Sequence, residues 1–312
     1  MDQKSKWLVQ LDQVKKIATG SKFSRLIQNP QNYILGVGYY QFIYPFTKKG
    51  WSVAAKTFFD ESITVRIPSG LDIFIAGGKT HDSEIRLARY FINRISASAN
   101  LVFFDIGAHF GYFSRLVAKL GFDGVEIHAF EASKSTFSVL SKNCMGWPRI
   151  KAHHLAVAAE NGTLSFTEFP ELYAEYNTLD TESFVSESWY QKIKGNQILV
   201  KAITLNDFCL MHQTSPALIK IDVEGSELEV IKGLVSLLER GEFPEIILEV
   251  WMDHDRNEAH KEAIRLLQSF DYEMYQITDQ GHLTTISWAE FAALESSSTV
   301  DSENLVFKYP KN

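Results

Sequence analysis

Cysteine is nearly absent from this 312-residue chain, which has only Cys144 and Cys209. Their separation matches neither a metal-ligand spacing nor a disulfide framework. Both sit among apolar neighbours, so both are expected to be buried and reduced, as in a cytoplasmic protein. Long hydrophobic runs are also lacking. The best candidate, YILGVGYYQFIYPF, covers 14 residues (33–46), short of the roughly 20 that a membrane-spanning helix needs. It is expected to pack on the body of the protein or at most to touch a membrane surface. The opening MDQKSKWLVQ has neither the apolar stretch nor the small-residue cleavage site of a secretory leader. Basic residues are not in excess: 31 Lys/Arg against 38 Asp/Glu leave a net charge of −7, which argues against a nucleic-acid partner.

What is there is unevenly spread. Residues 1–60 carry nine Lys/Arg and three Asp, a balance of +6, while the remainder stands at −13. A basic arm on an acidic body could meet an anionic surface or another subunit; a solvated helix face is the simpler expectation. An apolar fraction of 45% and a charged fraction of 22% are those of an ordinary globular protein with ample material for a core.

Periodicity predicts a helix over 6–19, with Trp7, Leu8, Leu11, Val14, Ile17 and Ala18 on one face and Gly20 stopping it. ITVRIPSGLDIFI (63–75) reads as two short strands around Pro68-Ser69-Gly70. A helix is expected to open at His81-Asp82-Ser83-Glu84, with Asp82 or Ser83 as its cap. From about residue 100, strands (101–105, 125–130, 151–155, 217–222, 245–250, 272–277, 304–309) alternate with helices (111–120, 133–143, 225–239, 257–269). Parallel strands must be joined by crossovers, so this alternation predicts an α/β, doubly wound, mostly parallel sheet. The last two strands have no helix-length pattern between them and are expected to pair antiparallel at one edge. Residues 1–80 form an N-terminal extension and 81–312 the main domain, with an insertion at about 160–204 that suits a lid or substrate-binding element.

In LVFFDIGAHFGYFSRLVAKLG (101–121) a strand passes through Gly107 and Gly111 into a helix. Such a turn lies where open α/β sheets bind ligands, and the helix start offers orphan N–H donors. A pyrophosphate site wants G-x-G-x-x-G; here the glycines are four apart and Asp105 stands two residues before the first. A carboxylate there would repel a pyrophosphate but suits a cationic ligand, so S-adenosylmethionine (SAM) fits better than NAD. Glu131, ending the next strand in HAFEAS, is placed like the acidic residue that takes ribose hydroxyls. In ALIKIDVEGSELEVIKG (217–233), Asp222 and Glu224 stand at the mouth of another strand. Either could hold the methionine end of the cofactor, orient a substrate hydroxyl or take its proton; Glu224 could equally serve only its helix N-terminus. In EIILEVWMDHDRNE (245–258), Glu249, Trp251, Asp253 and His254 lie at or past a strand end. His254 is a candidate base or a surface histidine. A metal held by Asp222, Asp253 and His254 has no diagnostic spacing, His153 and His154 point to opposite strand faces, and no metal is expected.

VFFDIGAHFGYFS, HAFEAS, HLAVAAENGTLSF, LNDF and IKIDVEGSELEVIKG, in this order, resemble the FkbM-type SAM-dependent methyltransferases over about two thirds of the chain. The resemblance implies a seven-stranded class I methyltransferase sheet whose last strand inserts antiparallel. It also implies O-methylation of a sugar, glycan or related natural-product hydroxyl. Matched position by position, it implies cofactor contacts from Asp105, Gly107, His109, Gly111, Tyr112 and Phe113 in the first turn. Glu131, Ala132 and Ser133 follow around the ribose, Ala156 lies beside the adenine, and Glu84 closes over the cofactor. Asp222 and Glu224 occupy the D-x-E-G segment. The family usually has Asn where this chain has His109, although an imidazole can still donate to a cofactor carboxylate. A SAM-fold binding or scaffold subunit without transferase activity is the alternative reading.

Overall fold

The computed structural model describes residues 2–95, 100–121, 124–181, 184–185, 187–253, 257–298 and 300–310. Its strands are β1 (Trp51–Lys56), β2 (Ser62–Ile67), β3 (Leu101–Ile106), β4 (Val125–Phe130), β5 (Ile150–His153), β6 (Ala156–Val157), β7 (Gly162–Glu168), β8 (Asn196–Ile203), β9 (Leu218–Ile221), β10 (Glu245–Trp251), β11 (Glu273–Ile277), β12 (Leu283–Thr285) and β13 (Ser302–Lys308).

The main sheet runs β12-β11-β13-β10-β9-β3-β4-β5. β13 inserts antiparallel between β10 and β11, while β5, β4, β3, β9 and β10 are mutually parallel. The last strand therefore lies inside the sheet, not at its edge. The short β12, absent from the sequence expectation, adds an eighth strand beyond β11. Strand order reverses between β3 and β9, and a crevice opens there beyond the carboxyl ends of both.

β3 and β9 are buried on both faces. Phe103 and Leu218 point into one apolar layer, and Phe104, Ile106, Ile219 and Ile221 into the other. Burying each such side chain is worth about 1.5–3 kcal/mol, so these runs are held as central strands. In the first layer lie Asp82–Arg94 and Tyr112–Gly121, two helices whose apolar faces meet the sheet.

The extension shares that layer. Helix Gln3–Thr19 buries Trp7, Leu11 and Val14 against it, as its periodicity predicts, and Phe58, Phe59 and Val65 of the hairpin join them. The hairpin itself differs from expectation: β1 pairs with β2, and the turn falls at residues 57–61. Pro68-Ser69-Gly70 leads instead into helix Leu71–Ala76, where Ile73, Phe74 and Ile75 are all buried, which an alternating strand could not achieve. Helix Asp82–Arg94 begins after His81 with no side-chain cap, because Asp82 is engaged by Arg86 and Lys15. The predicted helix 225–239 is broken at Gly233 into Glu227–Lys232 and Val235–Glu239. Both cysteines are buried free thiols, raised to about 12 by burial.

The insertion supplies β7 and β8 of a three-stranded sheet, β6-β8-β7, with a short 3-10 helix Glu171–Tyr176 between β7 and β8 in the chain. Thr178 ties it to the main domain by donating to the Glu224 carbonyl at 2.8 Å.

Candidate active site

The turn after β3 is shaped by close backbone approach. Gly107 has φ +77°, and a Cβ there would collide with the Asp222 carbonyl oxygen. The N–H groups of Gly107 and Ala108 donate to the Phe130 carbonyl, while Asp222 N–H donates to the Ile106 carbonyl. The ends of β3, β4 and β9 are thus stitched together at the crevice. His109 is also left-handed, at φ +51°, a conformation that costs a non-glycine residue about 1–2 kcal/mol. Asn tolerates it better than most residues, a backbone reason for the Asn that the resemblance implies here.

Glu131 is fixed from two sides. His109 N–H donates to one carboxylate oxygen at 3.0 Å and Ser133 N–H to the other at 2.9 Å. Burial pushes this carboxyl up to about 8, against the pull of those two N–H groups. The His109 ring stacks on Phe110, burial drives its imidazole down to about 3, and its Nε2 has no partner. It is a neutral side chain with a free nitrogen in the cavity wall.

Beside the turn lies a charged floor that the strand register explains. Asp105 on β3 stands directly across from Lys220 on β9, and both point to the same sheet face. Asp222, two residues beyond Lys220, and Glu249, at the end of β10, share it. Lys220 Nζ lies 2.7 Å from Asp222 and 5.2 Å above the Phe113 ring. Burial opposes the lysine's charge, but Asp222 and Asp105 outweigh it and raise its pKa. Burial likewise opposes ionisation of Asp222; Lys220 and a hydrogen bond with Glu249 prevail and hold it well below the usual carboxylate range. Glu249, which accepts from Ser302 at 2.6 Å, and Glu224 are pushed well above that range by burial and then by the Asp222 charge. The negative charge of the cluster is therefore favoured on Asp222, beside Lys220. Their oxygens lie within 4.8 Å of one another, a spacing a hard cation could also use.

The Glu224 loop is itself held. Glu227, buried, accepts from the N–H groups of Val223 and Gly225, both at 3.0 Å, and lies 3.0 Å from His260. Glu224 sits there at φ +53°.

These groups open into a cavity of about 790 Å³. Of the sequence-predicted residues, Glu84, Gly107, His109, Glu131, Ala132, Ala156, Asp222 and Glu224 line it. Five others do not. Asp105 is buried beneath the turn, accepts from Ser114 at 2.5 Å and faces Lys220. Gly111 only lets the helix begin, at φ +80°. Tyr112 packs on Phe58 and Phe59, and Phe113 on Phe91, because the first turn of that helix presents its inner face to the core. Ser133 caps the helix Lys134–Cys144 and contributes only its N–H to Glu131. His254 lies outside the described residues. The cavity also has members the sequence reading passed over. Lys79 pairs with Glu84 at 2.8 Å, leaving the second Glu84 oxygen without a partner. The insertion adds Tyr176, Phe184 and Trp189, with Trp251 against Phe184. Lys220 was findable: a lysine inside an apolar strand, two residues before Asp222, shares its face.

The sequence profile described as "Methyltransferase FkbM domain" matches residues 105–274. "31-O-demethyl-FK506 methyltransferase FkbM" of Streptomyces tacrolimicus is 25% identical over 240 residues, 67% of this chain and 88% of that protein. "Methyltransferase 1" of Beauveria bassiana (strain ARSEF 2860) is 29% identical over 142 residues, 42% of this chain and 57% of that one. This chain therefore spans little more than half the length of that relative. A SAM-dependent O-methyltransferase from Thermotoga maritima superposes with a TM-score of 0.38 at 10% identity, covering 84% of this chain and 79% of that one. The profile spans more than half of the chain, through the glycine turn, Glu131 and the Asp222-Glu224 loop. The chain belongs to the FkbM methyltransferase family.

Proposed function

We propose that this protein is a SAM-dependent O-methyltransferase whose acceptor is a hydroxyl of a sugar, glycan or related natural product. The observation that carries this reading is the pairing, in one cavity, of a fixed carboxylate at the end of β4 with an acidic cluster at the ends of β9 and β10. Glu131 has both oxygens oriented by backbone N–H groups and lies in the cavity wall, the arrangement that accepts vicinal ribose hydroxyls. Leu155, Ala156 and Val157 beside Ala132 offer an apolar slot for a purine. The unpartnered nitrogen of His109 and the unpartnered oxygen of Glu84 remain for the amino-acid end.

SAM supplies an electrophilic methyl on a sulfonium, so the protein's share is alignment and proton handling. Asp222, held ionised by Lys220, provides the negative charge that faces the cationic end and orients the acceptor hydroxyl. Glu224, whose pKa is raised, accepts the proton in its ionised form, which gains population as pH rises. The aromatic wall of Tyr176, Phe184 and Trp189 packs on the acceptor and excludes water.

Glu131→Ala is expected to weaken SAM binding about 10- to 100-fold, the value of hydrogen bonds to a charged group, with the melting profile retained. Titration calorimetry with SAM and S-adenosylhomocysteine checks this, and unchanged affinity would refute the ribose assignment. The pKa of about 8 adds a pH signature. Because the folded value lies above the unfolded one, the neutral carboxyl prevails below about 8 in the free protein, and the ionised acceptor is gained as pH rises through it. SAM affinity should therefore increase between pH 6.5 and 9, roughly a tenfold gain per pH unit at most. Glu131→Gln should remove that slope. A slope that survives the substitution assigns the titration elsewhere.

The same three carboxylates form a hard-cation donor set. Turnover lost to EDTA and restored by Mg²⁺ would assign Asp222, Glu224 and Glu249 to metal binding instead of proton transfer.

A further inference from the structure

Residues 22–47 carry large apolar side chains that no other described residue covers. After helix Lys22–Gln28 the chain continues as Pro30–Gly38, a π-helical turn Tyr39–Ile43 and a last turn Tyr44–Thr47. One side is anchored: Asn29 and Asn32 donate to the carbonyls of Ile75 and Phe74, Gly36 sits against Leu71, and the Tyr44 hydroxyl accepts from Leu172 N–H. Elsewhere on the segment Phe46 is 86% exposed, Phe42 72%, Phe23 70%, and Ile27 and Ile34 63% each. Exposed aromatic and aliphatic side chains gathered on one short segment mark an interaction surface.

The charges around them select the partner. No carboxylate occurs between Asp12 and Asp60, whereas that interval holds seven Lys/Arg, of which Lys16, Lys22, Lys48 and Lys49 are exposed. A second copy of this chain meeting the same face by two-fold symmetry would set lysines against lysines with no acid to pair them. Phenylalanines and isoleucines ringed by lysines suit an anionic lipid surface, where the apolar side chains enter the acyl boundary and the ammonium groups meet phosphates. The body, at −13 beyond residue 60, is repelled by such a surface, which leaves one orientation. Among the described residues no helix is long and apolar enough to cross a membrane, so the segment lies on the bilayer and does not span it.

We infer that residues 22–47 dock the protein on an anionic lipid bilayer. The same helices wall the cavity through Lys22, Arg25, Tyr33, Val37 and Tyr40. On the methyl-transfer reading, an acceptor anchored in lipid would reach Asp222 and Glu224 from the arm side.

The full chain is sedimented with phosphatidylcholine vesicles, with and without phosphatidylglycerol at roughly one lipid in three, at low and high salt. The expected result is binding to the anionic vesicles alone, weakened by salt. Binding should fall at least about tenfold in Phe42→Asp/Phe46→Asp and similarly in Lys48→Glu/Lys49→Glu. Neither pair lines the cavity, so SAM titration should be unchanged in both, which separates this proposal from the cofactor assignment. No sedimentation of a chain that binds SAM normally overturns it. So does a dimer in light scattering that Phe42→Asp/Phe46→Asp dissolves, since the face would then be a protein interface.

Discussion

Asp222→Asn is expected to fold, and to lose about 10²- to 10³-fold in kcat/KM, the range for removing one preorganised electrostatic partner. The substitution removes the carboxylate that Lys220 holds well below the usual range and leaves the buried Lys220 ammonium with Asp105 across the sheet. A cationic cofactor is then repelled where it had been attracted. The pH profile distinguishes this from mere misfolding. Glu224 and Glu249 are raised in part by the Asp222 charge; without it their protons leave at lower pH, so the acid limb of residual activity should move down. Rates followed from pH 6 to 9 test both points. Full activity at every pH in a folded variant would remove Asp222 from the mechanism.

Lys220→Met should be the most destabilising single change in the site. The ammonium is buried with Asp222 at 2.7 Å and Asp105 across the sheet. Removing one partner of a buried pair costs about 3–5 kcal/mol, because it leaves an uncompensated charge. At roughly 2–4 °C per kcal/mol for a chain of this size, Tm should fall by roughly 10 °C. Asp105→Asn placed in the same chain should recover part of the loss, since it removes one of the stranded carboxylates. A Lys220→Met protein as stable as wild type would show that this lysine does not neutralise the floor of the cavity.

Much of this architecture was legible before any coordinate. Alternating apolar runs and helical faces placed the parallel strands and their crossovers, because burial on both faces demands continuous apolar strands whatever the details of packing. The chemistry-bearing turns were legible for a related reason: Gly107, Glu131 and the Asp222-Glu224 pair stand at strand ends, where local backbone demands are written in single residues. Resemblance carried Glu84 and Ala156 to the cavity wall. It also carried in Tyr112 and Phe113, which the helix turns toward the core, and Asp105, which the sheet turns toward Lys220. These placements away from the cavity wall share a cause. A motif records which residues are near a ligand in chain order, but the face each side chain occupies follows from helix phase and strand register.

The sequence by itself determined the sheet-forming alternation, the glycine turn and the acidic strand ends, since each depends on local pattern and backbone chemistry. Only the tertiary structure decided that Lys220 neutralises Asp222 and that Glu249 joins the cluster. It alone left Phe42 and Phe46 facing outward. Those are matters of which strands become neighbours and which surface finds no partner, and distances between residues far apart in the chain set them.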